Sequence, residues 1–404
     1  MKKKVLSGLL ALCLVFGSAS ALPQGAFDTA PTITASAVST ATSGKCGENV
    51  KWKLTDGKLT ISGTGEMTDY SNKNSPFCDR TDIQTVVIGS GVTSIGNLAF
   101  CYCTKLVDIT IPDSVTRIGY NAFEGCENLT SVTLPNSIDS INLTTFMCCY
   151  SLESVTLPDS ITGIYTGAFY GCKKLKNINI PDSVEHIDTY AFKYCPNLTS
   201  LTIPSSVESI GNDAIDKECT IICEKGSKAE KYAKDNGLDY NYSDGDYLYK
   251  ELDDGTVEIT KYSGNYTILN IPSTLGGKQV TSIGSDAFSD RMYLEKIIIP
   301  SSVTNIAEKA FASAPGLKKI TIPDSVKAIG DNAFNSKCTI ICTKTSFAYV
   351  YASLYSIKCE YIAGDYIYKD IDDETVEITG YIGKDKTVNI PSTLAGKTVT
   401  SIGD

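Results

Sequence analysis

A 23-residue repeat constrains this chain more than any other feature. Phe100, Phe123, Phe146, Phe169 and Phe192 follow one another at that interval, as do Pro112, Pro135, Pro158, Pro181 and Pro204. The pattern returns as Phe288, Phe311 and Phe334, with Pro300 and Pro323. A fixed period between about 20 and 50 residues marks a solenoid, in which each repeat buries itself only against its neighbours.

One turn reads Leu-x-x-Ile-x-Ile-Pro-x-Ser-Val-x-x-Ile-Gly-x-x-Ala-Phe-x-x-Cys. Its first part alternates with period two and is rich in β-branched residues: Ile109–Ile111, Val132–Leu134, Val155–Leu157, Ile178–Ile180, Leu201–Ile203. That is a strand signal. Proline offers no ladder donor and ends the strand. Ser-Val-x-x-Ile makes a second short extended segment. Glycine, then Ala-Phe, turns the chain back. Stacked in register, the strands form a parallel sheet with roughly 4.8 Å between turns. The expected fold class is a β-rich repeat solenoid of 23-residue leucine-rich repeats, with a parallel sheet, β-hairpin caps and short closing helices.

The repeat does not fill the chain. Lys2, Lys3 and Lys4 followed by apolar Val5–Phe16 read as a secretory signal peptide over 1–21, too short to span a bilayer, with Ala19–Ala21 as the cleavage site. Residues 22–45, rich in Ala, Ser and Thr, read as a linker. In 46–85, Asn49–Leu54 and Leu59–Ser62 alternate around Thr55–Lys58, which predicts a hairpin cap containing the one tryptophan, Trp52. A first array, array one, spans 86–242 and ends in a helix with Ser227 as N-cap and Gly237 past its end. A second, array two, spans 243–361 with its own hairpin and closing helix. Cys219, Asp246 and Pro272 recur 119 residues on as Cys338, Asp365 and Pro391. Residues 362–404 begin a third unit. The chain stops at Ser401–Asp404 where Ala-Phe should follow, which predicts that it is a piece of something longer.

The Leu-x-x-Ile-x-Ile core resembles the core of leucine-rich repeats. The Pro-x-Ser-Val, Ile-Gly and Ala-Phe-x-x-Cys elements resemble the BspA-like subfamily over residues 83–223 and 280–342. The resemblance implies a secreted or surface-attached bacterial binding protein, used in some members for adhesion to host matrix proteins or to other bacteria. It brings no catalytic residues.

The net charge of −10 and the absence of a basic stripe speak against nucleic acid and anionic membrane surfaces as partners. No membrane insertion is expected after leader cleavage. No cofactor, metal or catalytic residue is assigned. Cys103, Cys126, Cys149, Cys172 and Cys195 each lie three residues after a repeat phenylalanine, where array two holds Arg291 and Ala314. They read as buried reduced thiols. A disulfide framework is the alternative, with Cys46–Cys78 its first pair. The single histidine, His186, occupies a slot that also takes Arg117, Ser140 and Gly163. Asp253–Asp254 and Asp372–Asp373 read as turn residues.

The sheet face carries the functional expectation. Ser131/Thr133, Ser154/Thr156, Asn177/Asn179 and Ser200/Thr202 stack into two columns of hydroxyl and amide groups, an extended ligand surface of the kind solenoids use. Tyr102, Tyr150, Tyr170 and Tyr194, just after the phenylalanines, are the second set of ligand-binding candidates. The expected partner is an extracellular protein or glycan, bound by a protein that is secreted, with attachment to its cell through a region beyond residue 404 as the further option. The alternatives are a structural spacer for a missing C-terminal module, and a glycan-active enzyme with its site around Tyr240–Tyr249.

Overall fold

The structure is a computed structural model and describes residues 41–403. The expected signal peptide and most of the expected linker lie outside the described residues. The described chain winds into a β-solenoid of about 15 turns, mostly parallel, with two short α-helices.

Three backbone ladders stitch one turn to the next. The first, the front column, pairs Ser131 with Ser154 and Ser154 with Asn177. The second, the back column, pairs Ser140, Gly163, His186 and Ser209 in succession. In the third, Phe100, Phe146 and Phe169 donate their N–H groups to Ala122, Ala168 and Ala191. Consensus side chains add to these. Ser114, Ser160, Ser183, Ser206 and Ser325 each donate a hydroxyl to a carbonyl of the preceding turn. In these turns the serine two residues after the proline makes a turn-to-turn bond that satisfies a buried carbonyl; Ser302, in the same place after Pro300, makes none.

Between the columns the phenylalanines form one stack. Rings from Phe77 to Phe192 lie 5.4–5.6 Å apart and within 21° of parallel. Trp52, buried in the cap, meets Phe77 edge-on at 5.3 Å. Phe77 is thus a ladder member inside the segment expected to fall outside the repeat. The expected linker also contributes to the cap: Ser43–Lys45 pairs antiparallel with Lys51–Lys53. Backbone pairing asks for no apolar period, so its composition gave no sign of this.

The ladder thiols lie under the stack. Cys103, Cys126, Cys149, Cys172 and Cys195 are free and buried, and each donates its S–H to the carbonyl of Phe77, Phe100, Phe123, Phe146 or Phe169 at 3.0–3.2 Å. Burial holds all five in the neutral form and pushes Cys195 up to about 12. Cys78 is bonded to Cys101, not to Cys46, which is a free buried thiol. The reason is stacking: Cys78 and Cys101 each follow a ladder phenylalanine by one residue, so adjacent turns bring their Cα atoms to 4.8 Å.

Helix α1 (Lys228–Asn236) has Ser227 accepting from Glu230 N and left-handed Gly237 at its end; helix α2 is Phe347–Leu354. Tyr232 and Tyr351, one from each helix, take the N–H of Ile215 and Ala333 in the last turn beside them. Neither helix ends the fold. After α1 the sheet continues through the hairpin at 240–262, and one apolar core runs from Cys46 to Ala352.

The hairpins are not equivalent. In the cap, strand Lys58–Gly63 leads into Thr85–Ile88 and so into the front column. The second hairpin begins on the front column of array one, yet its last strand, Val257–Tyr262, pairs with Val280–Ile283 and leads into the back column of array two. The third hairpin repeats the exchange through Thr375–Tyr381. Array two is therefore joined to array one with its columns exchanged, and Tyr262 takes the place of a ladder phenylalanine, tilted on Phe288 at 5.4 Å.

Candidate functional site

The front column turns its apolar residues inward. Val132, Val155, Ile178 and Leu201 are buried, and Ser131, Thr133, Ser154, Thr156, Asn177, Asn179, Ser200 and Thr202 are all exposed. Ser131 and Thr133 stand directly beside Ser154 and Thr156, and Ser154 beside Asn177. The result is a patch of short hydroxyl and amide groups without a charged side chain in either column from Ser131 to Thr202. Each group both donates and accepts hydrogen bonds. Short side chains give low relief and lose little rotamer freedom when covered.

The same face in array two is different. Lys296 and Lys319 are register partners, as are Ile298 and Thr321, and all four are half-buried. Lys319 Nζ lies 2.9 Å from both carboxylate oxygens of buried Glu360.

The four tyrosines do not form one edge. Tyr102 is half-buried, with its hydroxyl donated to Glu124 and Lys73 Nζ 3.8 Å over its ring. Tyr150 lies under Lys173 Nζ at 4.1 Å. Tyr170 and Tyr194 do meet, edge to face at 5.1 Å, and Tyr190 joins them at 6.4 Å. Tyr194 is the exposed member of the original four. Tyr102 and Tyr194 both lie two residues after their phenylalanine but are four turns apart, while Tyr170 and Tyr194 lie in adjacent turns and meet.

The acidic pairs serve turns. Asp254 accepts from Thr256 N and Oγ1 at 2.9 and 2.6 Å, and Asp372 accepts from the N–H groups of Glu374 and Thr375. Around the 240–262 junction, Glu251 is held below the usual carboxylate range by Lys225 and Lys278. Glu258 pairs with Lys250 at 2.8 Å, and Asp244 accepts from Gly276 N. These carboxylates are engaged as ion pairs or hydrogen-bond acceptors, and the lowered pKa of Glu251 is the opposite of the raised-pKa acid that glycoside hydrolysis uses.

One place was missed by the sequence reading. An open depression of about 420 Å3 lies on the back column, lined by Asp139, Ser140, Asn142, Leu143, Thr162, Tyr165, Thr166 and Asp188. A sequence signal for it exists. The consensus glycine after isoleucine is replaced in three consecutive turns, by Asn142, Tyr165 and Asp188. In the flanking turns it stands as Gly119 and Gly211, where a Cβ would come within 2.4 Å of the preceding turn's backbone.

Residues 71–195 and 258–369 match the BspA type leucine-rich repeat region, in six copies. Three solved structures are similar. A leucine-rich cell surface protein from Faecalibacterium prausnitzii is 24% identical, covering 80% of this chain and 96% of that one, with a TM-score of 0.35. A leucine-rich repeat protein from Eubacterium ventriosum is 26% identical, covering 74% and 71%, with a TM-score of 0.32. The leucine-rich repeat protein of T. pallidum is 23% identical, covering 48% and 95%, with a TM-score of 0.33. Among curated proteins none matches the chain in sequence. Among the described residues no helix is long and apolar enough to cross a membrane.

Proposed function

We propose that this chain, which belongs to the BspA type leucine-rich repeat family, works at the bacterial cell surface as a binding protein whose array-one front face takes an extracellular protein. The observation that carries this reading is the register-aligned, uncharged hydroxyl and amide patch of Ser131, Thr133, Ser154, Thr156, Asn177, Asn179, Ser200 and Thr202. A low-relief surface built from side chains of two to four heavy atoms cannot enclose a small molecule. It suits a partner that covers many turns at once, with hydrogen bonds spread along the columns. Exposed Tyr194, edge to face with Tyr170, is a second candidate contact, an aromatic anchor of the kind interfaces use.

The reading is tested by passing the full chain over a panel of immobilised extracellular matrix proteins, beside a variant carrying Ser131→Lys, Thr133→Lys, Ser154→Lys and Thr156→Lys. The expected result is saturable binding that the variant loses while its circular dichroism and thermal midpoint stay near those of the parent. Failure of the parent chain to bind any protein of the panel, or equal binding by the variant, contradicts it.

A further inference from the structure

We infer that the depression on the back column of array one is a second binding site, for a neutral oligosaccharide, with Tyr165 as the stacking platform. It lies on a different column from the proposed protein-binding face and does not depend on that reading.

The site is built around one glycine. Tyr165 follows the two-residue strand Gly163–Ile164, and a Cβ on Gly163 would lie 3.3–3.5 Å from the Tyr165 ring and hydroxyl. The ring therefore lies over the backbone of its own strand, made possible by a bare floor. In other turns that slot holds Ser140 or His186, the two register partners of Gly163. A ring lying down on the sheet presents a face to solvent, and Tyr165 is 38% exposed.

The polar groups beside the ring come from the turns on either side. Ser140, Asp139 and Asn142 belong to the preceding turn, and Asp188 to the following one. Asn142 donates its Nδ2 to Ile118 O at 2.7 Å, which fixes the plane of its amide. Ser140 donates to Asp139 at 2.8 Å, which orients that carboxylate. Thr162 and Thr166 complete the walls.

This set selects a chemistry. A sugar ring has an apolar C–H face and a rim of vicinal hydroxyls. The C–H face stacks on an aromatic ring, and the hydroxyls pair with carboxylate and amide oxygens, which accept two bonds each. The lining is too polar for an apolar ligand. It contains two carboxylates and no cation, so sulfated and sialylated glycans are disfavoured by like charge. The loss of the consensus glycine in three adjacent turns, at the position where flanking turns pack backbone on backbone, is what opens room for these side chains.

The test uses the full chain on a printed array of neutral, sialylated and sulfated oligosaccharides. Four proteins are compared: the parent, Tyr165→Ala, Tyr165→Phe, and the four-lysine front-face variant. The parent should bind neutral glycans. Tyr165→Ala should weaken that binding by about tenfold or more, the loss of one aromatic anchor. Tyr165→Phe and the front-face variant should keep it. Because the ring is partly exposed, the thermal midpoint of Tyr165→Ala should move little, which separates a lost site from a lost fold. The inference is overturned by no glycan binding, by binding to anionic glycans alone, or by glycan binding that Tyr165→Ala keeps. Glycan binding lost only in the front-face variant also overturns it. Failure on this array leaves the protein-binding measurement untouched, since the two read different ligands.

Discussion

Array one and array two come from the same repeat, yet they differ in the slot three residues after the phenylalanine and on the front face. Array one fills that slot with five thiols, each bonded to a phenylalanine carbonyl. Array two fills it with Arg291, which reaches Ser289 O and Ser263 O, and with Ala314. From Ser131 to Thr202, array one shows a front face of hydroxyls and amides. Array two puts lysines there and ties one of them to a buried glutamate. The comparison teaches that the stack of phenylalanines and the serine bonds after the prolines hold the solenoid, since both arrays share them. The thiol ladder and the neutral face are specific to array one and need another explanation.

The shared part should give the largest effect. Phe146 lies between Phe123 and Phe169 at 5.4 and 5.5 Å, and Phe311 between Phe288 and Phe334 at 4.8 and 5.5 Å. Phe146→Ala and Phe311→Ala should each cost about 3–5 kcal/mol, read by denaturant unfolding. Because each turn contacts only its neighbours, hydrogen exchange should quicken around the substituted turn and stay slow in the other array. Exchange that quickens equally in both would break the picture of one construction used twice.

Next comes the ion pair that only array two has. Lys319→Ala leaves the buried carboxylate of Glu360 with Thr379 as its hydrogen-bond donor. The expected loss is about 2 kcal/mol, below the cost for a fully buried pair because the lysine is 39% exposed. Replacing Lys319 and Glu360 together with Met should recover most of it.

The thiols sharpen the comparison through pH. Burial raises their folded pKa above the unfolded value near 9, as with Cys195 at about 12. Above pH 9 the unfolded chain loses thiol protons that the folded chain keeps. The stabilisation is thus fully present below pH 9 and is lost as pH rises from 9 toward 12, by up to ~1.4 kcal/mol per pH unit for each thiol. Array two contains Cys338, also raised to about 12, but lacks the five-thiol ladder. Amide exchange at pH 8 and pH 10, corrected for intrinsic rate, should show array one loosening more. Equal loosening would contradict the assignment of the ladder.

The smallest stability effect is expected on the exposed columns. Thr133→Lys or Thr156→Lys should change the unfolding free energy by no more than about 0.5 kcal/mol, since neither side chain is packed.

Much of this was legible in the sequence, and the reason is periodicity. The 23-residue interval aligns like with like, so the stack from Phe100 onward, the thiol ladder and the exposed columns could be read directly. What escaped depended on pairing between distant segments. Phe77 was hidden because its turn lacks the Ile-Gly and Ala-Phe signature, and with it went the equivalence of Cys78 and Cys101. The column exchange was hidden because Val257–Tyr262 alternates in a way that suits either column, and only its partner, Val280–Ile283, decides. The tyrosines were grouped by nearness to a phenylalanine, while contact between them also requires adjacent turns, as for Tyr170 and Tyr194. The depression was marked by the missing glycines, a departure from the repeat that consensus reading passes over.

The central claim is that the neutral front face of array one, and not its counterpart in array two, takes a protein partner. The most direct measurement is the affinity of three forms of the full chain for whichever matrix protein the parent binds. The forms are the parent, the four-lysine variant at Ser131, Thr133, Ser154 and Thr156, and a variant with Ile298→Lys and Thr321→Lys. The account predicts binding lost in the first variant and kept in the second. Binding kept in the first and lost in the second would place the surface in array two and contradict the account.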